Sequence, residues 1–155
     1  MGNKGSEIIL SVEIKTSLQK LYEVLTTQKG LSGWYTPETK AEAKEGTVIE
    51  LKFAQLTTLK FRVEELKQNT RVVWGGVHVP LDWKKTQIQF DIIPGEDTVT
   101  LQFTQRGLPP AYEDLGSFAY LWGQYLRSIK LLLETGAGEP FGSEASKKAG
   151  TTPTR

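Results

Sequence analysis

Residues 115–140, LGSFAYLWGQYLRSIKLLLETGAGEP, decide how this chain folds. Leu115, Phe118, Ala119, Trp122, Tyr125, Leu126, Ile129, Leu132 and Leu133 recur at three- and four-residue steps, the spacing that lines one face of an α-helix. The spacing predicts a long, aromatic-rich helix that Gly136-Ala137-Gly138-Glu139-Pro140 stops. A stripe that broad must be buried. Its natural cover is a sheet, because most of the preceding chain reads as short strands, and a helix gripped by a curved sheet can enclose a pocket.

The strands are marked by alternation. Ile8, Leu10, Val12 and Ile14 share one side of a first strand over Glu7–Lys15. Thr16, with Gln19 three residues on, has the form of a capping box for a helix presenting Leu18, Leu21, Tyr22 and Leu25. Residues 28–35 are glycine-rich and too short for a long helix, so they form a helical turn presenting Leu31, Trp34 and Tyr35. From Thr39 to Gln105 turn residues fall every eight to twelve positions, the mark of an antiparallel meander. Ile49, Leu51 and Phe53, then Leu59, Phe61 and Val63, alternate with charged or polar neighbours, so one face is wet and one buried. Later strands carry Trp74, then Ile88, Phe90 and Ile92, then Val99, Leu101 and Phe103. The fold class is α+β: a curved antiparallel sheet of six or seven strands around a long C-terminal helix, with two short helices after the first strand. Residues 7–141 make a single domain. Residues 142–155 lack periodic apolar residues and read as a disordered tail.

Composition narrows the function. A chain of 155 residues suits one domain with a sizeable core. Lys+Arg 19 against Asp+Glu 18 gives a net charge of +1, which lacks the basic footprint of a nucleic-acid binder. With no cysteine, disulfides, thiolate metal sites and cysteine nucleophiles are excluded, and a reducing cytoplasm is the expected compartment. No apolar run spans a bilayer and no signal peptide is evident, so a soluble protein without integral membrane association is expected. Gly2 and Ser6 satisfy the short N-myristoylation pattern, which here reads as a frayed polar terminus.

The order of elements resembles the helix-grip fold of the START/Bet v 1-like superfamily. Within it the chain resembles the family named after the C-terminal domain of the activator of the Hsp90 ATPase. The residues that carry this are Leu21-Tyr22-Glu23-Val24-Leu25, Gly30-Leu31-Ser32-Gly33-Trp34-Tyr35, Glu45-Gly46, Val73-Trp74, Gly107-Leu108, Trp122-Gly123, Tyr125-Leu126 and Leu133 to Pro140, spanning roughly residues 8–141. The resemblance implies a hydrophobic cavity between sheet and terminal helix that takes apolar small molecules. The co-chaperone that named the family has a further N-terminal domain and an asparagine-rich Trp-His motif. Neither is expected here, and Hsp90 interaction is doubtful.

Ten aromatics point inward by alternation or helical phase: Trp34, Tyr35, Phe53, Phe61, Trp74, Phe90, Phe103, Phe118, Trp122 and Tyr125. They either fill the concave volume or line a ligand cavity of roughly 300 to 1,000 Å³. Trp34 and Tyr35, on a short glycine-flanked helix, are the expected mouth. Gly116 and Gly123 weaken a helix interior, which calls for close backbone approach or room for ligand. His78, the sole histidine, could act as a general base oriented by Asp82, but no activated nucleophile accompanies it and a solvated loop is the simpler reading. No metal site and no cofactor are expected. The preferred function is binding of an apolar small molecule or lipid by a monomer or weak dimer. The alternatives are a cyclase- or hydrolase-like enzyme using Tyr35, His78 or Tyr112, and a protein-interaction or co-chaperone role.

Overall fold

The alternation becomes seven strands: β1 (Ser6–Ile14), β2 (Glu38–Lys40), β3 (Val48–Phe53), β4 (Thr57–Lys67), β5 (Arg71–His78), β6 (Gln87–Pro94) and β7 (Val99–Leu108). Four helices accompany them, α1 (Leu18–Thr26), α2 (Gln28–Trp34), α3 (Leu115–Thr135) and α4 (Glu144–Ala149), with a 3-10 turn at Leu81–Trp83. The computed structural model describes residues 5–149. The N-myristoylation pattern at Gly2 therefore begins outside the described residues.

All strand pairs are antiparallel, in the order β1-β7-β6-β5-β4-β3-β2. This is the helix-grip α+β fold, a curved sheet around α3. Facing residues form its inner rows: Val72 opposite Phe90, Phe90 opposite Phe103, Ile92 opposite Leu101, Leu51 opposite Leu59. Register shifts between β4 and β5, at Lys60/Phe61 and Val63/Glu65, bend the strand locally and add twist. On α3 the buried residues Trp122, Tyr125, Leu126, Ser128 and Ile129 follow the stripe read from the sequence.

The expected capping box is displaced by one residue. Ser17 is the N-cap of α1, its hydroxyl accepting the Lys20 N–H at 3.1 Å. Thr16 is half-buried instead, with Oγ1 lacking a hydrogen-bond partner among the described residues. Thr27 both ends α1 and caps α2, accepting the Gly30 N–H at 3.0 Å.

The glycines after α3 do more than stop it. Gly136 takes a left-handed conformation, φ +91°, as the C-cap, and the chain turns back across α2. Gly138 then passes so close that a Cβ there would lie 2.4 Å from the Gly33 carbonyl oxygen. Ser128, fully buried, holds the crossing: its hydroxyl donates to the Trp34 carbonyl at 2.9 Å and accepts the Glu139 N–H at 2.7 Å. Phe141 extends this strap, donating its N–H to the Tyr35 carbonyl at 2.8 Å and setting its ring edge-on to Phe53 at 5.4 Å.

The strap corrects the expectation of a disordered tail from residue 142. Anchored by Phe141, the chain continues into α4, where the Ser143 hydroxyl accepts the Ser146 N–H at 3.1 Å and Ser146 is buried. A polar segment can be ordered when its first residue is tied to the core. Residues 150–155 lie outside the described residues.

Ser128→Ala strands the Trp34 carbonyl and the Glu139 N–H, so it should lower unfolding free energy by about 2 kcal/mol in urea melts. A loss under roughly 0.5 kcal/mol would mean that something else holds the strap.

Candidate functional site

The concave side of the sheet is filled by rings. Trp34 stacks on Tyr35 with centroids 4.8 Å apart, and Tyr35 meets Phe53, Trp122 and Tyr125 at 5.4, 5.4 and 4.8 Å. The network continues from Trp34 to Phe90 at 6.3 Å, from Phe90 to Trp74 at 5.0 Å and to Phe103 at 5.6 Å, and from Phe103 to Trp122 at 4.3 Å. Phe61 packs on Trp74 at 5.6 Å. Most of these pairs are edge-to-face or tilted, the arrangements the ring quadrupole favours. Of the ten aromatics singled out in the sequence, nine are buried in this network; Phe118 is half-buried at its edge against Trp83.

The filling is incomplete at one end. A cavity of about 20 Å³ remains where the first turns of α3 face the β3–β4 hairpin and the 3-10 turn. Tyr35, Phe53, Phe118, Trp122 and Tyr125 line it, together with Thr57, Leu59, Pro80, Trp83 and Leu121. Trp34, Phe61, Trp74, Phe90 and Phe103 do not border it and pack with the remaining rings. The void is the size of a single water. Two larger depressions, of about 370 and 460 Å³, open more widely to solvent and lie outside the ring network.

Trp34 and Tyr35 are the residues expected at the mouth. Both are buried under the strap, and the Trp34 indole donates to the Val24 carbonyl at 2.7 Å. Thr57, Pro80, Phe118 and Leu121 are the half-buried members of the lining, whereas Trp83 is buried. Trp83 escaped the sequence reading because it sits in an aperiodic stretch after Pro80; a large ring between charged residues was the signal that this loop folds back on the core.

A polar chain ties α3 to the sheet beside the cavity. The Trp122 indole donates to Gln105 Oε1 at 3.0 Å, Gln105 Nε2 donates to Thr86 Oγ1 at 2.9 Å, and Thr86 donates to the Arg106 carbonyl at 3.1 Å. Gln105 is fully buried and occupies an inward position that alternation reserves for an apolar residue. Because each group has a partner, the chain fixes the rotation of α3 at little cost.

The glycines of α3 carry no close approach. A Cβ at Gly116 or Gly123 would meet nothing within 4 Å, so the expectation of a neighbouring backbone is replaced by open space. His78 and Asp82 are exposed and, with Tyr112, do not border the cavity. Among the described residues no group of three or more His, Asp or Glu side chains could hold a metal ion, and no helix is long and apolar enough to cross a membrane.

The sequence profile described as Activator of Hsp90 ATPase homolog 1-like protein matches residues 15–134. The chain belongs to this family. The solution structure of the Aha1 dimer from Colwellia psychrerythraea superposes with a TM-score of 0.78 at 29% identity, covering 86% of this chain and 99% of that one. CalU16 from Micromonospora echinospora superposes at 0.67 with 12% identity, covering 92% and 80%. DynU16, from the dynemicin biosynthetic locus, superposes at 0.74 with 16% identity, covering 85% and 48%. The last two speak for the fold alone. No curated protein matches the chain. The family's helix-grip fold is compatible with ligand binding.

In this member the cavity holds phenols in place of charges. Burial, and then the neighbouring Tyr125, pushes the Tyr35 hydroxyl well above its usual 10.0, and burial alone raises Tyr125. Folded phenols therefore keep protons that unfolded ones lose. Their contribution to stability is complete below pH 10 and falls as pH rises beyond it, by up to about 1.4 kcal/mol per pH unit for each phenol. Urea melts between pH 8 and pH 11 should show a shallower alkaline loss for the Tyr35→Phe, Tyr125→Phe double variant than for the native chain; parallel curves would contradict this account of the buried phenols.

Proposed function

We propose that this protein binds an apolar small molecule or lipid between the sheet and α3, at the end bounded by Phe118, Leu121 and Trp83. The observation that carries the reading is the coincidence of the void with the least secured part of the helix. Every fully buried residue of α3 lies from Trp122 onward, whereas Leu115 to Leu121 are at most half-buried. The lining contains no charged side chain, which suits an apolar guest. As it stands the cavity admits only a water-sized molecule, so a ligand must displace Phe118 and Leu121. Those side chains lie between Gly116 and Gly123, where the helix is intrinsically weakest.

Self-association is a second reading of the same chain, supported by the likeness to the Colwellia protein, which is a dimer. Native mass spectrometry of freshly purified protein reads both. Carried-over or added fatty acids, sterols and flavonoids should appear as one-to-one adducts, with a minor dimer population, and tryptophan quenching should give Kd below ~100 μM, about 5.5 kcal/mol of binding. If no such compound binds below that concentration, the binding reading fails.

Gly123→Ala tests the route of entry. With no neighbour to obstruct the added methyl, it should raise stability by up to about 1 kcal/mol and slow ligand association. Association at the native rate in a stabilised variant would place the entrance elsewhere.

A further inference from the structure

Resting on the pocket reading above, we infer that the occupant is a neutral molecule with an apolar body and one hydrogen-bond acceptor, which receives the indole N–H of Trp83. Among the described residues, four buried side-chain polar atoms have no hydrogen-bond partner: Thr16 Oγ1, Asn69 Oδ1, Trp74 Nε1 and Trp83 Nε1. Trp83 is the one of these four residues that borders the cavity. Buried donors are satisfied in the large majority of cases, so an orphan on a cavity wall marks a place for an acceptor.

The contrast with Trp122 sharpens this. Both tryptophans line the same void, but the indole N–H of Trp122 is already spent on Gln105. The ring nearest to Trp83 is Phe118, 5.0 Å away and edge-to-face, which offers a π face and no lone pair. Trp83 is also held in place. Its backbone N–H donates to the Pro80 carbonyl at 2.8 Å, and its backbone carbonyl accepts the Thr86 N–H at 2.9 Å, with Thr86 tied into the Gln105 chain. A donor on a pinned turn loses little freedom when an acceptor arrives.

Charge selects the class further. No Asp, Glu, Lys, Arg or His lines the cavity, so a carboxylate or ammonium on the guest would be stripped of water with no counter-charge. Thr57, Tyr35 and Tyr125 carry hydroxyls, which serve donors and acceptors alike and do not discriminate. Trp83 can only donate. The chemistry that fits is a ketone, aldehyde, ester or ether on an apolar skeleton.

Three probes of one skeleton test this: naphthalene, 2-acetylnaphthalene and 2-naphthoate, titrated by NMR against the native chain and Trp83→Phe, which keeps a ring against Phe118 and removes the N–H. The substitution should weaken the ketone about tenfold and naphthalene less than about twofold. At pH 8 the naphthoate should bind the native chain at least about tenfold more weakly than the ketone. A ketone that loses no more than naphthalene, or a naphthoate that binds as well as the ketone, overturns the inference while leaving the pocket reading intact. Should Trp83→Phe not fold, the native protein decides: one tryptophan indole proton must shift with the ketone and not with naphthalene, and the absence of that difference overturns the assignment. Failure of all three probes to bind overturns this inference, and the pocket reading is then decided by the fatty-acid, sterol and flavonoid titrations.

Discussion

One helix laid across the concave face of a seven-stranded sheet leaves more volume than aliphatic side chains fill, and the whole interior is organised around closing that gap. Nine buried rings from α2 and its C-cap, β3 to β7 and α3 do so, most of them set at an angle to their neighbours and Trp34 stacked on Tyr35. Rings are few-jointed and bulky, so they fill space at low entropic cost, but they cannot be slid to absorb a mismatch. Their positions must be fixed from outside. The Trp122–Gln105–Thr86 chain fixes them from the sheet side, and the Ser128 hydroxyl, between Trp34 and Glu139, fixes them from the strap.

These restraints are unevenly distributed along α3, and the proposed function rests on that unevenness. Its C-terminal half is pinned on several sides. Ser128 anchors the strap, Lys130 donates to the Glu13 carbonyl at 2.6 Å, and Glu134 accepts the Lys15 N–H at 2.8 Å. That backbone bond, followed by the Lys130 ammonium, holds the Glu134 carboxyl below its usual range. The first two turns, Leu115 to Leu121, are at most half-buried, and Gly116 and Gly123 beside them have open space where a Cβ would stand. The void lies under this end. A fold with one rigid and one yielding end can keep its ring core closed while admitting a guest at the other, which a uniformly packed interior could not do.

Much of this was legible in the chain. Two-residue alternation placed β3, β4, β6 and β7, and the three- and four-residue steps from Leu115 to Leu133 placed α3, because both signals are local and repeat along the element. Where the reading failed, the missing information was remote. Trp34 and Tyr35 looked like a flexible mouth from their glycine neighbours, yet a segment some hundred residues later buries them. The glycines at 136 and 138 read alike as a stop signal; Gly136 is one, at φ +91°, while the need for Gly138 comes from the approach of Gly33. Gln105 and Trp83 broke their local patterns, and each proved to belong to the edge of the cavity or its supports.

By itself, then, the sequence determined the long helix, the main strands, their order, the inward rows and the family, since hydrophobic period and turn chemistry act within a few residues. The tertiary structure alone decided how far the ten rings fill the space they share, where a void is left, and which indole beside it lacks an acceptor. Those are properties of contacts between segments distant in the chain, set by shape and distance, and no local pattern encodes them.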